Sequence, residues 1–219
     1  MTSVRPEASL YGPGQSRFAR LLERREERRP DPVAREIRHR LLEGARGRVL
    51  EVGCGDGRAF EHYPPTVEAV IALEPDPTAR AVAAERARAA AVPIEVVEGR
   101  AEQLPAEDGA FDTVVALGVL CTVPDPAAAL REMRRVLAPR GELLFWEHVR
   151  SRSAVFRKVQ RAVDAVYWTR ALGGCRTTRD TASAIRAAGF SIAELERGFH
   201  SSSVLTLTSA PYVVGVARR

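Results

Sequence analysis

Residues 48–57, Arg-Val-Leu-Glu-Val-Gly-Cys-Gly-Asp-Gly, constrain this chain more than any other stretch. A short apolar run, Val49-Leu50-Glu51-Val52, meets glycine at alternate positions: Gly53, Gly55 and Gly57. Glycine is placed where the backbone takes a positive φ or must lie close to another group. The pattern predicts a buried strand, a tight turn and then a helix, with the turn facing a ligand.

The rhythm of the following residues extends that unit. Apolar strand patterns at Val49–Val52, Val67–Leu73, Ile94–Val97, Thr113–Leu117 and Glu142–Trp146 alternate with helical patterns at about 57–62, 77–91 and 126–137. Near-continuous apolar strands interleaved with helices predict a parallel sheet covered on both faces. Residues 152–170 predict an amphipathic helix with Val155, Phe156, Val159, Val163 and Val166 on its apolar face, broken by Gly173-Gly174. Thr177 is expected to cap the next helix with Asp180 as its capping-box partner, and Gly189 to end it. Late strands at about Ser191–Leu195 and Tyr212–Ala217 have no helix between them and predict an antiparallel hairpin at the sheet edge. Ser201–Ser209 is a candidate for a further extended segment. The expectation is an α/β, Rossmann-like sheet of seven strands, mostly parallel with one antiparallel edge strand. Ahead of it, residues 16–29 and 33–44 read as helices, with Val33, Ile37, Leu41 and Leu42 spaced on one face of the second. The expected organisation is one domain: an N-terminal helical cap (1–47), a ligand-binding half (48–150), a helical lid (151–190) and terminal strands (191–219).

Composition narrows the function classes. At 219 residues and 45% hydrophobic content the chain suits one full-sized core. No apolar run approaches 18 residues and Met1–Pro6 lacks a signal region, so a cytoplasmic protein without stable membrane insertion is expected. The net charge of +5 is carried by arginines scattered among acids, with Lys158 the only lysine, which argues against nucleic acid as a partner. Cys54, Cys121 and Cys175 are widely spaced and show neither a disulfide framework nor metal-ligand spacing, so no metal is expected.

The glycine turn departs from the dinucleotide pattern. A pyrophosphate site shows Gly-x-Gly-x-x-Gly, whereas here the glycines fall at alternate positions, flanked by Glu51 and Asp56. Those acids would repel a pyrophosphate and suit an ammonium or other cationic centre. Glu74, at the tip of the second strand and 23 residues after Glu51, is placed to accept both hydroxyls of a ribose, and Asp76 to cap the next helix.

At this point the sequence resembles the class I S-adenosylmethionine-dependent methyltransferases, whose first motif is Glu/Asp-x-Gly-x-Gly-x-Gly. Further motifs follow in order: Glu74-Pro75 after the second strand, Glu98-Gly99-Arg100-Ala101-Glu102 after the third, and Gly109–Leu117 with Gly118 at the fourth. The resemblance implies S-adenosylmethionine as cofactor, S-adenosylhomocysteine as its product, and a cofactor site formed by Glu51, Gly53, Cys54, Gly55, Gly57, Glu74, Pro75, Gly99, Ala101, Glu102, Leu117 and Gly118. Within it, Ala101 and Glu102 would face the adenine, with a solvated loop acid as the other reading of Glu102.

A narrower resemblance is to the methyltransferase-like alkyl thiol S-methyltransferases. It rests on Tyr63-Pro64-Pro65, Val119-Leu120-Cys121-Thr122-Val123, Trp146-Glu147-His148-Val149 and Gly174-Cys175-Arg176-Thr177-Thr178-Arg179-Asp180. It implies a small-molecule acceptor, a thiol first of all. His148, ending the fifth strand, is the candidate catalytic residue; a histidine bonded to loop backbone is its alternative. Tyr11, Cys121, His148, Trp168 and Cys175 are candidate substrate contacts, with small buried hydrophobes as the alternative for the cysteines. A second reading keeps the cofactor and methylates oxygen, nitrogen or carbon of a quinone, lipid or secondary metabolite. A third is a cofactor-binding or membrane-surface module using Arg150, Arg152, Arg157, Lys158 and Arg161. Oligomeric state is left open.

Overall fold

The computed structural model describes residues 31–165, 175–201 and 204–219. Tyr11, Trp168, the expected helix at 16–29 and Gly173-Gly174 lie outside the described residues.

Seven strands form one sheet: β1 (Gly47–Val52), β2 (Val67–Leu73), β3 (Ile94–Val97), β4 (Phe111–Leu117), β5 (Leu137–His148), β6 (Ser191–Phe199) and β7 (Pro211–Arg218). Their order is β3-β2-β1-β4-β5-β7-β6. The pairs β1–β2, β1–β4, β2–β3 and β4–β5 are parallel, while β7 runs antiparallel to both β5 and β6. The one reversed strand is therefore β7, inserted between β5 and the edge strand β6, and the expected terminal hairpin supplies it.

Strand alternation divides the core into two layers. Leu50, Val52, Val114, Ala116, Leu143 and Phe145 point to one face, where they meet Leu130, Met133 and Ile185. Val49, Val70, Ala72, Val115 and Leu144 point to the other, against Ile37, Leu41, Leu42, Phe60 and Ala83. The helices supplying those contacts are α1 (Pro32–Leu42), α2 (Pro77–Ala87), α3 (Pro126–Val136) and α5 (Thr181–Ala187); α4 (Ala154–Val163) lies beyond β5 in the chain. Near-continuous apolar strands can point buried side chains to both faces only because helices cover each of them.

Three helices begin with the same dipeptide. Asp31, Asp76 and Asp125 each accept two N–H bonds from the first turn, with Pro32, Pro77 and Pro126 following them. The carboxylate satisfies donors that the helix leaves open, and proline has no N–H to leave unsatisfied.

Four local expectations are corrected. The segment after the glycine turn makes only a 3₁₀ turn at Phe60–His62, because Tyr63 before Pro64 is held extended (φ −68°, ψ 126°). The cap of α5 is Asp180, whose side chain accepts the Ser183 N–H; Thr177 instead donates its hydroxyl to Asp164 at 2.8 Å. The Ser201–Ser209 region contains a 3₁₀ helix, Val204–Ser209, rather than an extended segment. On α4, Val155 is 74% exposed and Val159 45%, while Gln160 is fully buried. The inward side of this helix bonds to backbone through Gln160; of the expected apolar positions that are described, Val163 packs against Cys121 and Cys175 and Phe156 meets the Phe199 ring, while Val166 lies outside the described residues.

Candidate active site

The chain turns to opposite sides of the sheet after β1 and before β4, so these neighbouring strands flank a topological switch point. In open α/β sheets the crevice at the carboxyl ends of such strands is where ligands bind. The loop Gly53–Gly57 leaves β1 here and Gly118 leaves β4. Gly53, Gly55, Gly57 and Gly118 all have positive φ, at 68°, 58°, 81° and 73°. Their surroundings differ. A methyl group on Gly53 would meet Val119 at 2.8 Å and one on Gly57 would meet Phe60 at 2.7 Å, whereas at Gly55 and Gly118 nothing lies within 4 Å. Two of these glycines are thus required by packing, and two border open space at the switch point.

Glu74, at the end of β2, reaches across to this loop. Its two carboxylate oxygens accept the N–H groups of Gly55 and Asp76, each at 2.9 Å. The side chain is held in one place and keeps further lone pairs for a diol. Burial raises its pKa, against the pull of the two N–H donors. Pro75 contributes only a carbonyl, which accepts from Arg80 at 3.1 Å.

Glu51 lies beneath the turn, 2% exposed, and accepts the Tyr63 hydroxyl at 2.8 Å. Burial pushes its pKa up to about 7, with the Tyr63 hydrogen bond and the nearby Arg38 charge acting in the opposite direction. Its ionisation is therefore poised near neutrality. Tyr63 and Arg38 were not legible as site residues: Tyr63 carried only a family resemblance, and no local spacing ties Arg38 to Glu51. Arg38 also stacks over Trp146, 5.5 Å from the ring centroid, and Trp146 meets Tyr212 edge-on.

Asp56 does not present a free charge to the crevice. It pairs with Arg58 at 2.8 Å and Arg86 at 2.7 Å, and so clamps the turn to α2. Cys54 is buried; its N–H bonds the Leu73 carbonyl at 2.9 Å, and burial raises its thiol pKa far above the ordinary value. Gly99 is also explained by packing, since a Cβ there would lie 2.4 Å from the Leu73 side chain. Its close approach is to β2 rather than to open space. Ala101 is buried, and Glu102 is half-buried and accepts the Asp125 N–H at 3.4 Å.

A second cluster forms beside Gly118. The Cys121 thiol is 3.4 Å from the Gly118 carbonyl. His148 Nδ1 lies 3.9 Å from Cys121 Sγ and 3.7 Å from Cys175 Sγ. Glu147 underpins it: fully buried, its carboxylate accepts the N–H groups of Val119, Leu120 and Cys121 at 2.8–2.9 Å. The structure thus gathers Cys121, His148 and Cys175 from three separate stretches.

Comparisons with known proteins identify the family of the chain. Residues 50–145 match the family model described as a methyltransferase domain. The chain is 35% identical over 181 residues to the thiol S-methyltransferase TMT1B of Homo sapiens, covering 80% of this chain and 73% of that protein. The chain belongs to the S-adenosylmethionine-dependent methyltransferases. Its cofactor is S-adenosylmethionine. A methyltransferase of Thermotoga maritima described as S-adenosylmethionine-dependent superposes with a TM-score of 0.67 at 25% identity, over 92% of this chain and 96% of that one. The ubiquinone biosynthesis O-methyltransferase of Xanthomonas euvesicatoria is 36% identical over 114 residues, 52% of this chain and 48% of its own. The [4+2]-cyclase SpnF shares the fold, with a TM-score of 0.65 at 22% identity over 85% of this chain and 80% of its own. The fold alone therefore leaves the reaction open. Among the described residues of this methyltransferase, no helix is long and apolar enough to cross a membrane.

Proposed function

We propose that this methyltransferase transfers its methyl group to the sulfur of a small-molecule thiol. The observation that carries the reading is the 35% identity to a thiol S-methyltransferase across four-fifths of the chain. The chemistry at the acceptor end is consistent with it. Glu147, the carboxylate beside His148, is engaged by three backbone N–H groups and is not available as a general base. A thiol, with a pKa of about 8.5, needs far less help to ionise than an alcohol.

In this reading Gly55 and Gly118 leave room for the cofactor, Glu74 accepts its ribose hydroxyls, Glu51 faces its ammonium end, and Ala101 and Glu102 border the adenine. When bound, S-adenosylmethionine supplies an electrophilic methyl group, which passes in line to the acceptor sulfur and leaves S-adenosylhomocysteine. The protein's part is alignment and exclusion of water. His148 would take the acceptor's proton through Nε2, since Nδ1 is turned to the two thiols. Residues 151–190 would act as the lid; the Gln160 amide, 3.0–3.2 Å from the carbonyls of Val149, Thr177 and Thr208, shares its two hydrogens among them and ties α4 to the residue just after β5.

The test is an acceptor panel of alkyl thiols, phenols, amines and quinones with labelled cofactor. Transfer to thiols supports the reading, and transfer confined to oxygen, nitrogen or carbon acceptors refutes it. The partial match to the ubiquinone O-methyltransferase makes a quinol the competitor to include.

A further inference from the structure

Cys121, His148 and Cys175 come from three different elements: the loop after β4, the last residue of β5, and the segment leading to α5. One ligand atom from each lies within 4.8 Å of the other two. A tetrahedral ion with metal–sulfur bonds of about 2.3 Å and a metal–nitrogen bond of about 2.05 Å needs sulfur and nitrogen roughly 3.6 Å apart. The observed separations from Nδ1 are 3.7 and 3.9 Å. A shift of a few tenths of an ångström brings both sulfur–nitrogen separations to that value, and the two sulfurs already lie within 4.8 Å of each other.

The scaffold holds the donors in place. Glu147 pins the backbone of the Cys121 loop through three N–H bonds, and the Arg176 N–H donates to the Cys121 carbonyl at 2.7 Å, joining the two cysteine segments. Asp164 accepts the N–H and hydroxyl of both Thr177 and Thr178, anchoring the stretch that carries Cys175. Both cysteines are buried, and His148 is the partly exposed member. Buried donors on braced backbones are a poor arrangement for solvent-exposed thiols and a good one for a bound ion, because little ordering remains to be done.

We propose that Cys121, His148 and Cys175 bind a thiophilic divalent cation, and that zinc is the ion this two-thiolate, one-imidazole set suits. On binding, both thiols release their protons to solvent, and the two thiolates balance the ion's charge. Nδ1 becomes the ligand nitrogen and Nε2 carries the hydrogen, so His148 serves as the acceptor's base only in the ion-free protein. Three protein ligands leave one tetrahedral position, as in zinc centres that hold an exchangeable fourth ligand rather than in closed structural ones.

The test is titration of the full, freshly reduced chain with cobalt(II) under anaerobic conditions. The expected result is a thiolate-to-cobalt charge-transfer band and strong d–d bands of a four-coordinate site, with an endpoint of one ion per chain, reversed by zinc. C121S, C175S and H148A should each lose or markedly weaken these bands, and C54S should keep them. A shift in melting temperature with S-adenosylhomocysteine shows that each variant is folded. The proposal is overturned if reduced wild type gives no thiolate–cobalt band, or if the band survives in C121S or C175S. It is equally overturned if Cys121 and Cys175 are joined as a disulfide that persists under these reducing conditions. The titration needs no methyl acceptor, so its outcome stands apart from that of the acceptor panel.

Discussion

Glu51 offers a direct way to test the cofactor end of the site. Its carboxyl is buried and titrates near pH 7, against an ordinary value of 4.5. If its charge holds the ammonium end of the cofactor, affinity follows the ionised fraction, which rises roughly tenfold between pH 6 and pH 8 for a pKa of about 7 and so adds about 1.4 kcal/mol of binding. Calorimetric titration of S-adenosylhomocysteine across that range reads it directly. E51Q should bind more weakly at pH 8 and lose the rise. The ligand's own amino group titrates equally against both proteins, so the ratio of the two affinities isolates Glu51. Y63F removes a hydrogen bond that lowers this pKa, and should move the rise to higher pH. The stability sign is opposite. The raised folded pKa means that the native state holds the extra proton between 4.5 and 7, so Glu51's contribution is fully present below 4.5 and is lost as pH climbs to 7. That loss is of the order of 3 kcal/mol. An identical pH slope of binding in wild type and E51Q would refute the argument.

Other outcomes follow from single contacts. In E147Q an amide NH₂ replaces one oxygen that accepts a buried N–H, and the urea midpoint should fall by an amount equivalent to about 1–3 kcal/mol. Q160L removes the partner of the Ser151 N–H and of the Val149 and Thr177 carbonyls. It should cost about 2–3 kcal/mol and expose the 151–180 region to limited proteolysis, which a protease time course would show. G53A and G118A share the strain of a positive φ, but only G53A also drives a methyl into Val119. Chemical denaturation should therefore find G53A the less stable, and a bulkier G118V should lose S-adenosylhomocysteine binding by filling the open space.

Much of the fold could be read from local pattern. Apolar runs of four to seven residues, helical spacing between them and the glycine turn specify a covered parallel sheet, because each is a short-range signal with its own period. Asp76 was readable as a cap for the same reason: the carboxylate bonds residues two and three positions on. Local pattern misled where a residue's partner lies far along the chain. Thr177 looked like a cap until Asp164 took its hydroxyl, and the apolar side of α4 looked like the buried one until Gln160 proved to be tied to three separate carbonyls.

The glycines divide in the same way. Sequence determines that Gly53, Gly55, Gly57, Gly99 and Gly118 sit at turns and strand ends. Only the tertiary structure decides that Gly53, Gly57 and Gly99 answer to Val119, Phe60 and Leu73, while Gly55 and Gly118 border open space. It also decides that Asp56 is spent on Arg58 and Arg86 while Glu51 is left poised near neutrality. The proposed donor half is legible as short motifs in chain order, Glu51–Gly57, Glu74-Pro75, Gly99–Glu102 and Leu117-Gly118, because each is local to one strand end. The cluster of Cys121, His148 and Cys175 is not, since each pair is separated by at least 27 positions and only the closing of the sheet and the bracing by Glu147 and Asp164 bring them together.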